Sequence, residues 1–171
     1  MFRWFYNLIY GSELASFESA YSLDESVKRL SDASTDSIIA TLGRQTAYGS
    51  VSDHEVQLTR TIPFVRNSFK PVFVGSFQRV GDRTILVGKF TMHWVAKAFL
   101  SLWFGFCALW TLLVLVAGIS KGLGEVWWMP LGGTGFFLFG ILLVGFCRWL
   151  SRNDVAWIST VISNALSGKT A

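Results

Sequence analysis

The chain has 171 residues, 51% of them hydrophobic and only 15% charged, with a formal net charge of +4. Soluble domains average about 25% charged residues, so a wholly water-exposed domain is a poor fit. Removing the two long uncharged stretches described below leaves residues 1–97 and 148–171, about 120 positions, room for one small soluble domain and not two.

The start, Met1–Tyr10, reads MFRWFYNLIY. Arg3 and Asn7 interrupt its apolar run and no cleavage site follows, so it does not read as a secretory signal. Phe2, Trp4, Phe5 and Tyr6 suit either a bilayer interface or a domain core. Alternation of Ala15, Phe17 and Tyr21 predicts a strand within 14–21. Ser22-Leu23-Asp24-Glu25 then has the form of a capping box, with the Ser22 hydroxyl on the Glu25 amide and the Glu25 carboxylate on the Ser22 amide. Leu23, Val27 and Leu30 form a one-sided stripe, while Lys28 and Arg29 sit late, where they favour the negative end of the helix dipole. A helix over about 23–33 is predicted.

From Thr35 to Met92 the texture is strands and turns, with strands expected between about 38 and 92. A short strand over 44–51 precedes the Ser52-Asp53 turn. Val56, Leu58 and Ile62 then alternate with Gln57, Thr59 and Thr61. After the 67–71 loop, which reads as a recognition edge or a plain connection, Pro71 opens an apolar strand through Phe77. Gly81-Asp82 makes a hairpin turn, and residues 84–92 return. Gly75 and Gly88, in opposite arms, mark a bulge or a close backbone approach. Together these predict an antiparallel meander of four or five strands.

The uncharged stretches follow. Ala98–Ser120 lies between Lys97 and Lys121, and Val126–Cys147 between Glu125 and Arg148. Each exceeds the roughly 20 apolar residues that cross a bilayer core of about 30 Å. They read as a transmembrane hairpin: helix 98–120, a short outside turn over 121–125, and helix 126–147. Trp94, Trp127, Trp128 and Trp149 supply aromatic belts, Lys97 can snorkel, and Pro130 falls in a first helical turn. Residues 148–171 carry a possible second cap at Ser151–Asp154 and then a helical stripe, Val155, Ile158, Val161, Ile162 and Leu166. This stripe is expected to dock on the first domain and close a one-sided α+β layer. The fold class expected is therefore an α+β membrane protein: a small antiparallel meander with an amphipathic helix, interrupted by a two-helix hairpin and closed by a C-terminal amphipathic helix. The order of elements resembles that of many small bacterial membrane proteins, in architecture only.

Lys89, Lys97, Arg148 and Arg152 flank the outer ends of the hairpin, while the turn has one Lys against Glu125. The positive-inside rule then puts both termini in the cytoplasm of an inner-membrane protein with two spans. The same four residues are the candidate contacts to lipid headgroups. The basic series Arg44, Arg60, Arg66, Lys70, Arg79, Arg83 and Lys89 could add to this, at about 1 kcal/mol per residue near an anionic surface, or stay solvated. Gly105, Gly135, Gly140 and Gly145 are the candidate helix-packing positions, although no GxxxG spacing occurs.

Chemistry is sparse. Neither stretch holds an ionisable residue, which argues against a transport path. Cys107 and Cys147 read as buried apolar groups with no CxxC pairing. His54, within Asp53-His54-Glu55, reads as a solvated turn, and His93 as part of the polar collar. No phosphate loop or nucleophile elbow is present. No catalytic residue, metal or cofactor is expected, nor a nucleic-acid partner. The leading expectation is a membrane-anchored, non-enzymatic binding or adaptor module whose partners are the bilayer and another membrane protein or a second copy. Its rivals are an accessory subunit of a transporter or channel, and a membrane enzyme acting on lipid-linked substrates through His54 or His93.

Overall fold

The computed structural model describes residues 2–37, 45–63, 67–121, 124 and 127–167. Ten elements follow in chain order: α1 (Phe2–Tyr10), β1 (Ser12–Ser19), α2 (Leu23–Asp32), β2 (Thr46–Val51), β3 (Val56–Thr61), β4 (Pro71–Val80), β5 (Arg83–Met92), α3 (Trp94–Lys121), α4 (Met129–Leu150) and α5 (Asp154–Ser167). The predicted strand residues 38–44 lie outside the described residues.

The five strands make one antiparallel sheet in the order β1-β5-β4-β3-β2. β2 to β5 are a plain meander, and β1 adds to the free side of β5. The period-two alternation sends Val56, Leu58, Phe73, Phe77, Leu86 and Phe90 to one face. α5 lies across that face and carries Ile158, Ile162 and Leu166 into it, each fully buried. Leu30 of α2 fills the remaining corner, and the Ala20 amide donates to the Leu166 carbonyl. The chain segments before and after α3 and α4 therefore share one core.

Two glycine devices shape the sheet. Gly81, at φ +63°, turns β4 into β5, a conformation that glycine alone adopts without cost. Gly75 and Gly88 are direct cross-strand partners, and Phe73 lies over both: a Cβ on Gly88 would stand 2.7 Å from Phe73 Cζ. The close approach read from the sequence is thus a seat for a buried aromatic ring.

Local chemistry departs from expectation at α2. Ser22 is the N-cap, but its hydroxyl accepts nothing from the helix. The Glu25 carboxylate instead accepts from Arg29 Nε at 2.7 Å, one turn on. Ser26 is the residue that ties the entry down: its hydroxyl donates to the Ser22 carbonyl at 2.7 Å and meets the Ser19 hydroxyl at 2.7 Å. The capping box is a pattern without the bonds.

α3 and α4 are both long and apolar enough to cross a membrane. α3 begins at Trp94, four residues before the uncharged run, because only His93 separates it from β5. α4 begins at Met129 and keeps Pro130 in its first turn, where the missing amide is harmless. The two helices pack against each other through Phe104, Val144 and Gly140, where a Cβ on Gly140 would stand 2.9 Å from Phe104 Cε1.

Candidate functional site

The most developed constellation lies where the sheet, α1, and the near ends of α3 and α4 meet. α1 presents Phe5, Leu8 and Ile9, at helical spacing, to a second core made by Met92, Ala96, Leu100, Phe104 and Val144. The Phe5 ring meets Phe104 edge-on at 4.9 Å and stacks on Phe137 at 5.7 Å. Trp4, Tyr6 and Tyr10 face outward. The aromatic start of the chain therefore supplies core on one face and leaves an exposed aromatic surface on the other.

Polar groups fasten this collar. Arg148 Nη1 donates to the Asn7 and Leu8 carbonyls, each at 3.1 Å, and so neutralises the exposed C-terminal end of α1. Asn67 donates to the Cys147 carbonyl at 2.9 Å and to the Ser151 hydroxyl at 2.7 Å, tying the β3–β4 connection to the end of α4. Lys97 Nζ donates to Thr91 Oγ1 at 2.7 Å and faces the Tyr10 ring at 6.0 Å. The Tyr10 and Ser101 hydroxyls are hydrogen-bonded to each other. Arg152 lies over the Trp149 ring at 5.5 Å.

Between these groups is a cavity of about 560 Å³. Its walls include Arg148, Arg152, Glu13, Asn7, Ser12 and Ser151, with Ile9, Phe90 and Val155 among the apolar lining. Of the four basic candidates, Arg148 and Arg152 thus share one cavity. Lys97 adjoins it through Thr91, a lining residue. Lys89 stands apart, exposed on β5 between Leu14 and Val74.

Part of the wider basic series is occupied within the module. Arg60 pairs with Asp154 at 3.0 Å, both side chains largely buried, and also donates to Gln45. Lys70 Nζ donates to the Arg60 carbonyl at 2.7 Å; burial pushes its pKa below the usual lysine value, and Asp154 partly opposes that shift. Arg83 pairs with Glu18 at 2.8 Å in solvent. Three of the seven are therefore engaged within the module, and Arg44 and Arg66 lie outside the described residues. Periodicity could not show this, because the partners Asp154 and Glu18 are remote in sequence.

The candidate glycines separate as well. Gly140 packs against Phe104 and Trp103, and Gly133 is equally enclosed, by Thr111 and Trp110. Gly105, Gly135 and Gly145 have open space where a Cβ would project, so they contribute nothing to packing inside this hairpin.

For catalysis the arrangement offers little. His54 is 92% exposed in the β2–β3 turn, with Asp53 Oδ2 at 3.2 Å, and Glu55 is engaged by Gln57. His93 Nδ1 accepts from the Val95 amide. Among the described residues, no group of three or more His, Cys, Asp or Glu side chains could hold a metal ion. Both cysteines are free thiols. No family model, no curated protein and no solved structure matches this chain.

Proposed function

We propose that the chain is a two-span membrane protein that holds a folded, non-catalytic binding module at a fixed angle against the bilayer surface. One observation carries this reading. Only 11% of the most apolar stretch of α3, and 17% of that of the segment beginning at α4, is buried within the protein. A core helix of a soluble protein would be covered by its own chain. Here Leu102, Ile119 and Leu142 stand more than two-thirds exposed, and such a continuous apolar surface needs lipid or a partner.

The module's attachment supports a positioning role. It joins the hairpin through His93 on one side and Ser151–Asn153 on the other, and α1, Asn67 and Arg148 brace the joint. A tether meant for long reach would be a flexible linker. On this reading the inner-membrane location with cytoplasmic termini is the orientation that the basic residues at the joint favour. Reporter fusions at both ends test it, and an external carboxyl terminus contradicts it.

The binding role is tested by purification in mild detergent followed by mass measurement of the intact assembly. The expected product is one chain with a ligand, lipid or protein, retained in stoichiometric amount. A bare chain that stays bare after exposure to membrane lipid contradicts it. The open outer positions Gly105, Gly135 and Gly145 favour a second reading, close approach of a helix from another membrane subunit. A second membrane protein in the purified assembly would select that reading.

A further inference from the structure

We propose that the collar cavity is a site for the phosphate of an anionic glycerophospholipid, held by Arg148 and Arg152. The inference rests on the membrane placement above and adds to it a specific ligand class and specific residues.

The charge arrangement is the main argument. Arg29, Arg60 and Arg83 each pair with a carboxylate within 3.0 Å, and Arg79 has no carboxylate partner among the described residues but stands outside the cavity. Arg148 and Arg152 line one cavity and neither has a carboxylate within ion-pair distance among the described residues. Arg148 spends only Nη1 on the two α1 carbonyls; Nε and Nη2 have no partner among the described residues. The Arg152 guanidinium makes no hydrogen bond there and rests on the Trp149 ring. A planar guanidinium fork with unused donors matches phosphate oxygens.

Size and position agree. At about 560 Å³ the cavity falls in the range of roughly 300–1,000 Å³ found for small-molecule sites. It lies where α4 ends, beside the exposed ring of Trp149, the level at which a headgroup would meet the two helices. Apolar walls from Leu8, Ile9, Met92 and Val155 suit the glycerol backbone and first acyl carbons. Glu13, also in the lining, is placed to accept from a headgroup hydroxyl. Two guanidinium groups against one carboxylate leave a single positive charge, which a lipid of net charge −1 neutralises and a zwitterionic lipid, with its own ammonium, does not.

The test uses the full-length protein in detergent, with retained lipid read by native mass spectrometry. Probes are phosphatidylglycerol, phosphatidylethanolamine and phosphatidylcholine, with inorganic phosphate as competitor. Arg152→Gln removes one exposed guanidinium, whose one contact among the described residues is the Trp149 ring, without breaking a hydrogen bond or ion pair, and should weaken phosphatidylglycerol retention about tenfold, the size of one charge-assisted hydrogen-bonding group. Arg148→Lys keeps a donor for the α1 carbonyls but loses the fork, and should also lower retention. Arg79→Gln, on β4 outside the cavity, should leave it unchanged. Retention by Arg152→Gln equal to the unmodified protein overturns the proposal, as does an equal loss in Arg79→Gln, which would mean diffuse surface charge. Equal retention of the three lipids overturns the assignment to an anionic lipid, and displacement by millimolar phosphate overturns it in favour of a soluble phosphate. Because binding is read in detergent, failure of membrane anchoring would show separately, as release of the protein from washed membranes.

Discussion

The protein contains two apolar regions built from the same residue types and finished in opposite ways. In the module, Phe73, Leu58, Leu86, Ile158, Ile162 and Leu166 are fully buried between sheet and helices. Along α3 and α4, Leu102, Ile119, Phe139 and Leu142 face outward, with Ile119 87% exposed. Four of the arginines show a related contrast. Arg60 and Arg83 meet carboxylates in the module, whereas Arg148 and Arg152 at the joint have backbone carbonyls and an aromatic ring. The module's core supplies its own surroundings, whereas the outer hairpin surface is left uncovered by the chain, and on the proposed reading lipid completes it.

That contrast can be broken at its strongest point first. Phe73→Ala empties the seat over Gly75 and Gly88, and should destabilise the module by about 3–5 kcal/mol in denaturant unfolding. Retained stability would mean the sheet's packed face is not its core. Next, Leu109→Arg puts a charge on the outer face of α3, where Leu109 is 55% exposed. In water such a change is nearly neutral, but at the centre of a bilayer span it should cost roughly 2.5–3.5 kcal/mol of insertion free energy. A glycosylation-type insertion assay reads the difference, and unchanged insertion would remove α3 from the bilayer.

A smaller effect separates the inner and outer faces of the hairpin itself. Gly140→Val must displace Phe104 or Trp103 and should cost about 1–3 kcal/mol by overpacking. Gly135→Val enters open space and should change stability by less than about 0.5 kcal/mol. Thermal unfolding of the two variants in detergent compares them directly. A loss at Gly135 equal to that at Gly140 would place a neighbouring helix on the outer face.

The contrast also explains what could be read in advance. Strand order along the meander, the hairpin at Gly81 and the two long apolar helices follow from local periodicity, so β4, β5, α3 and α4 were legible within a few residues. The start of α3 was displaced because Lys97, a charge that ends an apolar run on paper, sits inside the helix and is satisfied by Thr91. α1 was not foreseen as a helix. Its Phe5, Leu8 and Ile9 spacing was visible, but nine residues are too few for periodicity to stand out among so many aromatics. At Ser22 the motif was present and the bonds were not: Arg29 engages the Glu25 carboxylate, and the Ser22 hydroxyl makes no cap bond.

The joint was the least legible part. Arg148 against Asn7, and Asn67 against Cys147, join residues separated by 141 and 80 positions. No single stretch of sequence carries that information. The four basic residues selected by charge alone included the two that line the cavity, yet nothing in their spacing distinguished these from Lys89.

The central claim, that the exposed apolar hairpin is finished by lipid, is tested most directly by washing membranes that contain the full-length protein with alkaline carbonate and floating them through a density gradient. The protein should rise with the vesicles, undiminished by the wash. Recovery in the soluble fraction after the wash, with the module still folded, would contradict it.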